Sequence, residues 1–260
     1  MRKIIGILAI TVALIAALPA SGAGATITPK TALIFGDSLT YESRYQIASR
    51  FATRAGWTQN THSIIGSAPC DWIPALATDL ALYHPSVVGL LTAGNTLGLN
   101  SCMTAAGGTP EFFAQYRADL ATIFQMVTAT GARVVFFASP PFANATRNAD
   151  AIQITKIATE LAYQYHGVSI ALSVRTALSA SGKYTDTKPC LATEPATVGC
   201  NAGRIAIRTL PGFSDSGLHL CPAGLPAGTF GICSTYSSGE YRFARSMVAN
   251  LVSPPPPKLL

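Results

Sequence analysis

Five residues spread over four segments of this chain have the types needed for acyl transfer: Ser38, Gly66, Asn95, Asp215 and His219. Ser38 stands in Gly36-Asp37-Ser38-Leu39, directly after the apolar run Thr31 to Phe35. A strand, a turn and then a helix would put its hydroxyl where backbone N–H groups bind developing negative charge. A serine nucleophile needs a base. Of His62, His84, His166 and His219, only His219 lies in a polar, turn-like stretch beside an acid, Ser214-Asp215-Ser216-Gly217-Leu218-His219. Asp215 would orient the imidazole and stabilise its protonated form. His84 before Pro85 and His166 before Gly167 read as helix-end residues, and His62 falls within a strand, so these three are read as structural. The oxyanion needs donors, and two strand-end loops offer them: the Gly66 N–H and the side-chain amide of Asn95 in Thr92-Ala93-Gly94-Asn95. Losing one such donor costs about 3–4 kcal/mol in the transition state. Each residue also has an ordinary reading, because Gly, Asn, Asp and Ser all populate turns and caps. Their order after successive strands is what joins them.

The elements around these residues alternate. A helix-compatible stretch from Ser43 to Ala55 follows the first strand; Thr58 to Ile65 is extended, Trp72 to Tyr83 helical and Val87 to Leu91 a buried strand. Thr109-Pro110-Glu111 opens a helix with a cap, a first-turn proline and an acid, and Gly131 closes it. Val134 to Ala138 is a strand, Ile154, Ile157, Leu161 and Tyr165 keep helical spacing, and Val168 to Leu172 is extended. The stretch from Ser179 to Ser238, rich in Gly, Pro and Cys, reads as loops before a terminal helix from Tyr241 to Leu251. Alternation with apolar strands implies an α/β protein: a three-layer α/β/α sandwich with a central parallel sheet, flavodoxin-like. In such sheets ligands bind beyond the carboxyl ends of the strands, where these candidates fall.

In its Gly-Asp-Ser-Leu block, glycine, asparagine and late histidine, at Ser38, Gly66, Asn95 and His219, the chain resembles the SGNH (GDSL-type) hydrolase family. Cys70-Asp71-Trp72 and His219-Leu220-Cys221 resemble features of its secreted actinobacterial members. The resemblance spans about residues 31–251. It implies the SGNH fold, a Ser38 nucleophile, a His219 base and an oxyanion hole from the Ser38 N–H, the Gly66 N–H and Asn95. Two departures stand out. The family's Gly-x-Asn-Asp is here Gly94-Asn95-Thr96, and its acid three residues before the histidine is here Ser216, with Asp215 four before. Either Asp215 completes a triad through a longer turn, or the site is a Ser-His dyad.

Arg2 and Lys3, the apolar run Ile4 to Leu18 and Ala23-Gly24-Ala25 have the layout of a secretory signal peptide, read as residues 1–25. Residues 26–252 read as one domain, and 253–260 as a proline-rich tail. Secretion or a cell-envelope location follows. Cys70, Cys102, Cys190, Cys200, Cys221 and Cys233 then suit three disulfides. Fifteen connectivities exist, and short loop closure favours Cys190–Cys200 and Cys221–Cys233, leaving Cys70 for Cys102. No C-x-x-C spacing suggests a metal, and no cofactor is expected. The formal charge of +6 becomes +4 without Arg2 and Lys3, which suits an anionic cell-envelope surface. No basic cluster interleaved with aromatics suggests nucleic acid. The leading reading is a secreted esterase acting on a lipid or O-acyl glycan ester. The alternatives are an O-acyltransferase of the cell envelope and a catalytically silent binding protein on the same fold.

Overall fold

The structure, a computed structural model, describes residues 28–92, 95, 102–194, 200, 202–213, 217–223, 233 and 236–253. The leader at 1–25 and all of the tail but its first residue lie outside these. Five parallel strands form the centre: β1 (Lys30–Gly36), β2 (Trp57–Ser63), β3 (Val87–Leu91), β4 (Arg133–Phe137) and β5 (Val168–Ala171), in the order β2-β1-β3-β4-β5. This is the flavodoxin-like order, whose direction of winding reverses between β1 and β3.

Successive side chains of a strand point to opposite faces. Thus β1 sends Leu33 and Phe35 to one layer and Ala32 and Ile34 to the other, and β4 divides Val134 and Phe136 from Val135 and Phe137. The first layer is α2 (Pro69–Tyr83), α3 (Pro110–Ala129) and α4 (Ala145–Gln164), anchored by Trp72, Leu76, Tyr116, Leu120, Ile157 and Leu161. The second is α1 (Ser38–Ala52), α5 (Leu172–Ala177) and α6 (Ser238–Val252), anchored by Leu39, Ile47, Phe51, Val174, Phe243 and Met247. The expected sandwich is therefore present, with both faces of the sheet covered.

Some boundaries differ from those read from the sequence, each for a local reason. Helix α1 begins at Ser38 rather than Ser43, because the Asp37 carboxylate accepts the Leu39 N–H at 3.1 Å as its cap. α2 begins at Pro69 because proline suits the first turn, where no N–H is needed. α6 begins at Ser238 because Ser237 Oγ accepts the Glu240 N–H at 3.2 Å. The strand expected to run to Leu172 ends at Ala171, where α5 starts. Within the stretch expected to be loops, β6 (Thr187–Pro189) pairs antiparallel with β7 (Arg204–Ala206). The favoured disulfides form: Cys70–Cys102, Cys190–Cys200 and Cys221–Cys233. No helix among the described residues is long and apolar enough to cross a membrane.

The β1–α1 turn is tight. A Cβ at Gly36 would lie 2.0 Å from Thr40 Oγ1 and 2.5 Å from Thr40 Cβ, so only glycine lets the first turn of α1 fold back over the strand end. Overpacking of this kind costs about 1–3 kcal/mol. Gly36→Ala is expected to lower the midpoint of thermal unfolding accordingly; an unchanged midpoint would mean that the turn has slack the structure does not show.

Candidate active site

Three strand ends converge beside Ser38. It is the first residue of α1, half-buried, and follows the fully buried Asp37. The second Asp37 oxygen accepts from Asn95 Nδ2 at 3.4 Å, and the same amide nitrogen donates to the Ser67 carbonyl at 2.9 Å. Ser67 Oγ donates to the Gly36 carbonyl at 3.3 Å, and the Ile64 N–H to that carbonyl at 2.9 Å. The loops after β1, β2 and β3 are thus tied to one another through Gly36, Asp37, Ser67 and Asn95. Gly66 takes a left-handed φ of +79°, and a Cβ built there would meet nothing within 4 Å. The left-handed φ, rather than crowding, is what favours glycine at this position.

His219 reaches this corner from the far end of the chain. Its Nδ1 forms a short hydrogen bond with Glu42 Oε1, and the other Glu42 oxygen accepts the Leu220 N–H at 2.7 Å. The Glu42 side chain is wholly buried and that of His219 is 9% exposed. An ionised carboxylate accepts only, so opposite it the imidazole donates from Nδ1 and keeps its lone pair on Nε2. Glu42 lies four residues after Ser38 on α1. Residues at that spacing share a helix face and differ in height by about 6 Å.

The loop carrying His219 is held on several sides. Thr209 N–H donates to the His219 carbonyl at 3.1 Å, Thr209 Oγ1 to the Cys221 carbonyl at 2.8 Å, and Ser237 Oγ to the Leu220 carbonyl. Arg208, fully buried, donates to the Leu218 carbonyl at 2.9 Å and to the Pro141 carbonyl at 2.7 Å. Burial pulls the Arg208 guanidinium down to about 10, and nearby Glu42 opposes that fall, so it stays cationic at neutral pH. A second buried acid, Glu240, lies behind the loop: burial and then the Glu42 charge push it up to about 8. Tyr116, beneath Asn95, is held neutral well above its ordinary range by burial and by Asp37. Cys221, Cys233 and Glu240 place ligand-type atoms within 4.8 Å, but both sulfurs are committed to the disulfide and supply no thiolate.

The structure thus ties the loops after β1, β2 and β3 to one another through Gly36, Asp37, Ser67 and Asn95, and packs His219 on Glu42 of the helix that Ser38 opens. Asp215 lies outside the described residues, and the Nδ1 atom it was expected to orient is occupied by Glu42. Glu42 is the residue the sequence reading missed. Its signal is an acid one turn beyond Ser38 among positions that α1 buries, Leu39, Thr40, Ser43 and Ile47. Two of the other histidines make contacts elsewhere: His62 lies against Phe35 and 4.0 Å from Asp79, and His84 caps α2 in the left-handed region.

The family described as "Protein of unknown function (DUF459)" matches residues 31–198. No curated protein matches. Among solved structures, one assigned provisionally as a platelet activating factor from Streptococcus pneumonia aligns with a TM-score of 0.52 and 16% identity over 88% of this chain and 86% of its own. A provisional SGNH hydrolase from Slackia heliotrinireducens aligns with a TM-score of 0.52 and 14% identity over 87% of this chain and all of its own. What is shared at such identity is the fold, and it is that of the SGNH hydrolases.

Glu240 gives the site a pH signature. Between the ordinary 4.5 and about 8, the folded chain holds a proton that the unfolded chain releases. Stability must then fall as pH rises through that window. Thermal unfolding should show this decline in the wild type and a flatter profile in Glu240→Gln; parallel profiles would remove Glu240 from the account.

Proposed function

We propose that this chain, which belongs to the DUF459 family of SGNH hydrolase-like proteins, is a secreted esterase that cleaves carboxylic esters through an acyl-serine intermediate. The observation that carries this reading is the buried Glu42 carboxylate on His219 Nδ1, one helical turn from Ser38. In this reading Glu42, not Asp215, completes the triad. General-base catalysis requires a fixed histidine tautomer, and ligand binding alone does not. The leader-like residues 1–25 and the three disulfides support secretion.

His219 Nε2 takes the Ser38 proton as Oγ attacks the acyl carbon, and Glu42 stabilises the imidazolium that results. The oxyanion is received by the Ser38 and Gly66 N–H groups at the end of the sheet and by Asn95 Nδ2. That amide holds Ser67 tightly, and its longer 3.4 Å contact with Asp37 is the one that yields to a developing charge. His219 then passes its proton to the leaving alcohol, the C–O bond breaks, and water repeats the sequence to free Ser38.

Glu42→Gln separates the charge and tautomer functions of this residue from its volume. Because the Leu220 N–H holds one oxygen, the glutamine carbonyl should stay there and turn its NH₂ toward His219 Nδ1. That enforces the wrong tautomer. Turnover of p-nitrophenyl acetate should vanish in Ser38→Ala and His219→Ala and fall by about 10,000-fold in Glu42→Gln, with the fold retained. Asn95→Ala should lose about 100- to 1,000-fold. Wild-type-like turnover in Ser38→Ala or His219→Ala would overturn the reading.

A further inference from the structure

The two helical layers carry opposite charge. α2, α3 and α4 hold six acids, Asp71, Asp79, Glu111, Asp119, Asp150 and Glu160, against three cations, Arg117, Arg147 and Lys156. α1 and α6, which pack against each other, hold four arginines and only Glu42 and Glu240 as acids, both buried. Arg242 is buried and paired with Glu194 at 2.8 Å, while Arg44 and Arg50 are half-exposed and Arg245 exposed; Arg54, exposed, follows the end of α1. This flank of the molecule is therefore cationic with no exposed acid on either helix.

Aromatic rings lie against these cations, and the pairing across α1 and α6 is one that the sequence reading did not find, because the two helices are far apart in the chain and meet only in the fold. Arg44 lies over Tyr41 and Tyr45, at 3.8 and 4.6 Å from the ring centres, and Arg50 lies over Tyr241 at 4.3 Å. Tyr45 is 61% exposed. A hydrogen bond with Thr193, and after it the hydrogen bond and charge of Arg50 and the charge of Arg245, hold the Tyr241 hydroxyl below its ordinary range. Beside α6, an open cleft of about 440 Å³ is lined by the apolar Ala177, Pro189, Leu191 and Ala249 together with Lys188 and Arg245. Cations attract an anionic surface, tyrosines favour the water–lipid boundary, and an apolar cleft accepts part of an acyl chain. A hydrated polyanion would use the first of these features and leave the other two without a role.

We propose that the α1–α6 flank is a docking surface for an anionic lipid bilayer. Both helices start at the carboxyl edge of the sheet, so a bilayer on this flank lies along the side of the molecule whose rim carries Ser38. The docking is independent of catalysis and is expected unchanged in Ser38→Ala.

The test is co-sedimentation of the full chain, freed of residues 1–25, with vesicles of phosphatidylcholine alone and of equimolar phosphatidylcholine and phosphatidylglycerol, at low and high salt. Binding should require phosphatidylglycerol and weaken as salt screens the charges. Arg50→Glu/Arg54→Glu/Arg245→Glu should lower partitioning at least about tenfold while p-nitrophenyl acetate turnover is retained. Arg117→Glu/Arg147→Glu/Lys156→Glu changes net charge equally on the opposite layer and should leave most binding intact. Should the first triple variant fail to fold, Arg54→Glu/Arg245→Glu, at exposed positions, reads the same loss at smaller size. The proposal is overturned by a wild type that ignores phosphatidylglycerol, by equal loss in both triple variants, or by a soluble anionic polysaccharide that displaces the protein from vesicles at matched charge.

Discussion

A carboxylate cut off from solvent must find every one of its partners inside the fold, since leaving it unpaired would cost several kcal/mol. Glu42 does so with two donors that are neighbours in sequence, the imidazole of His219 and the backbone N–H of Leu220. These two bonds fix both position and rotation of the imidazole, because one oxygen holds the ring and the other holds the backbone that carries it. The surrounding structure serves this arrangement. Arg208 supplies a buried positive charge to offset Glu42, Thr209 and Ser237 secure the carbonyls of His219, Cys221 and Leu220, and the Cys221–Cys233 bridge closes the loop behind them. Gly239 lets the start of α6 approach the backbone of Ile207 and Leu220. A Cβ there would lie 2.2 Å from the Ile207 carbonyl, so α6 could not otherwise begin against the His219 loop.

The sheet and its main helices were legible in the sequence because their signals are local. Val87 to Leu91 is wholly apolar and bounded by breakers, and the structure gives β3 those same limits. Thr109-Pro110 marks the start of α3 through a side-chain cap and a missing N–H, and both operate as read. What escaped was short or ambiguous. α5 spans six residues, too few for a helical period to repeat, and β6 and β7 have three residues each within a loop-like composition. The start of α1 was misplaced because Asp37 and Ser38 fit a turn as well as they fit a cap and a first helical residue.

The candidate site was legible in the same measure. Ser38, Gly66 and Asn95 could be placed because each follows a strand, and the sheet order then brings their loops together without further information. The partner of His219 could not. Neighbours in sequence pointed to Asp215, whereas Glu42 is 177 residues away and comes into reach only when the His219 loop packs on α1. A glutamate among the buried positions of a helix marks a missing partner, but it does not say which one.

The tautomer of His219 tests the central claim most directly. In protein labelled with nitrogen-15 at histidine, His219 at neutral pH should carry its proton on Nδ1, in a strongly deshielded resonance that couples to the Glu42 bond, with Nε2 bare. Glu42→Gln should move the proton to Nε2 while the remaining histidines keep their shifts. A wild-type His219 protonated on Nε2, or a tautomer indifferent to Glu42→Gln, would contradict the claim that the helix bearing Ser38 also sets the base.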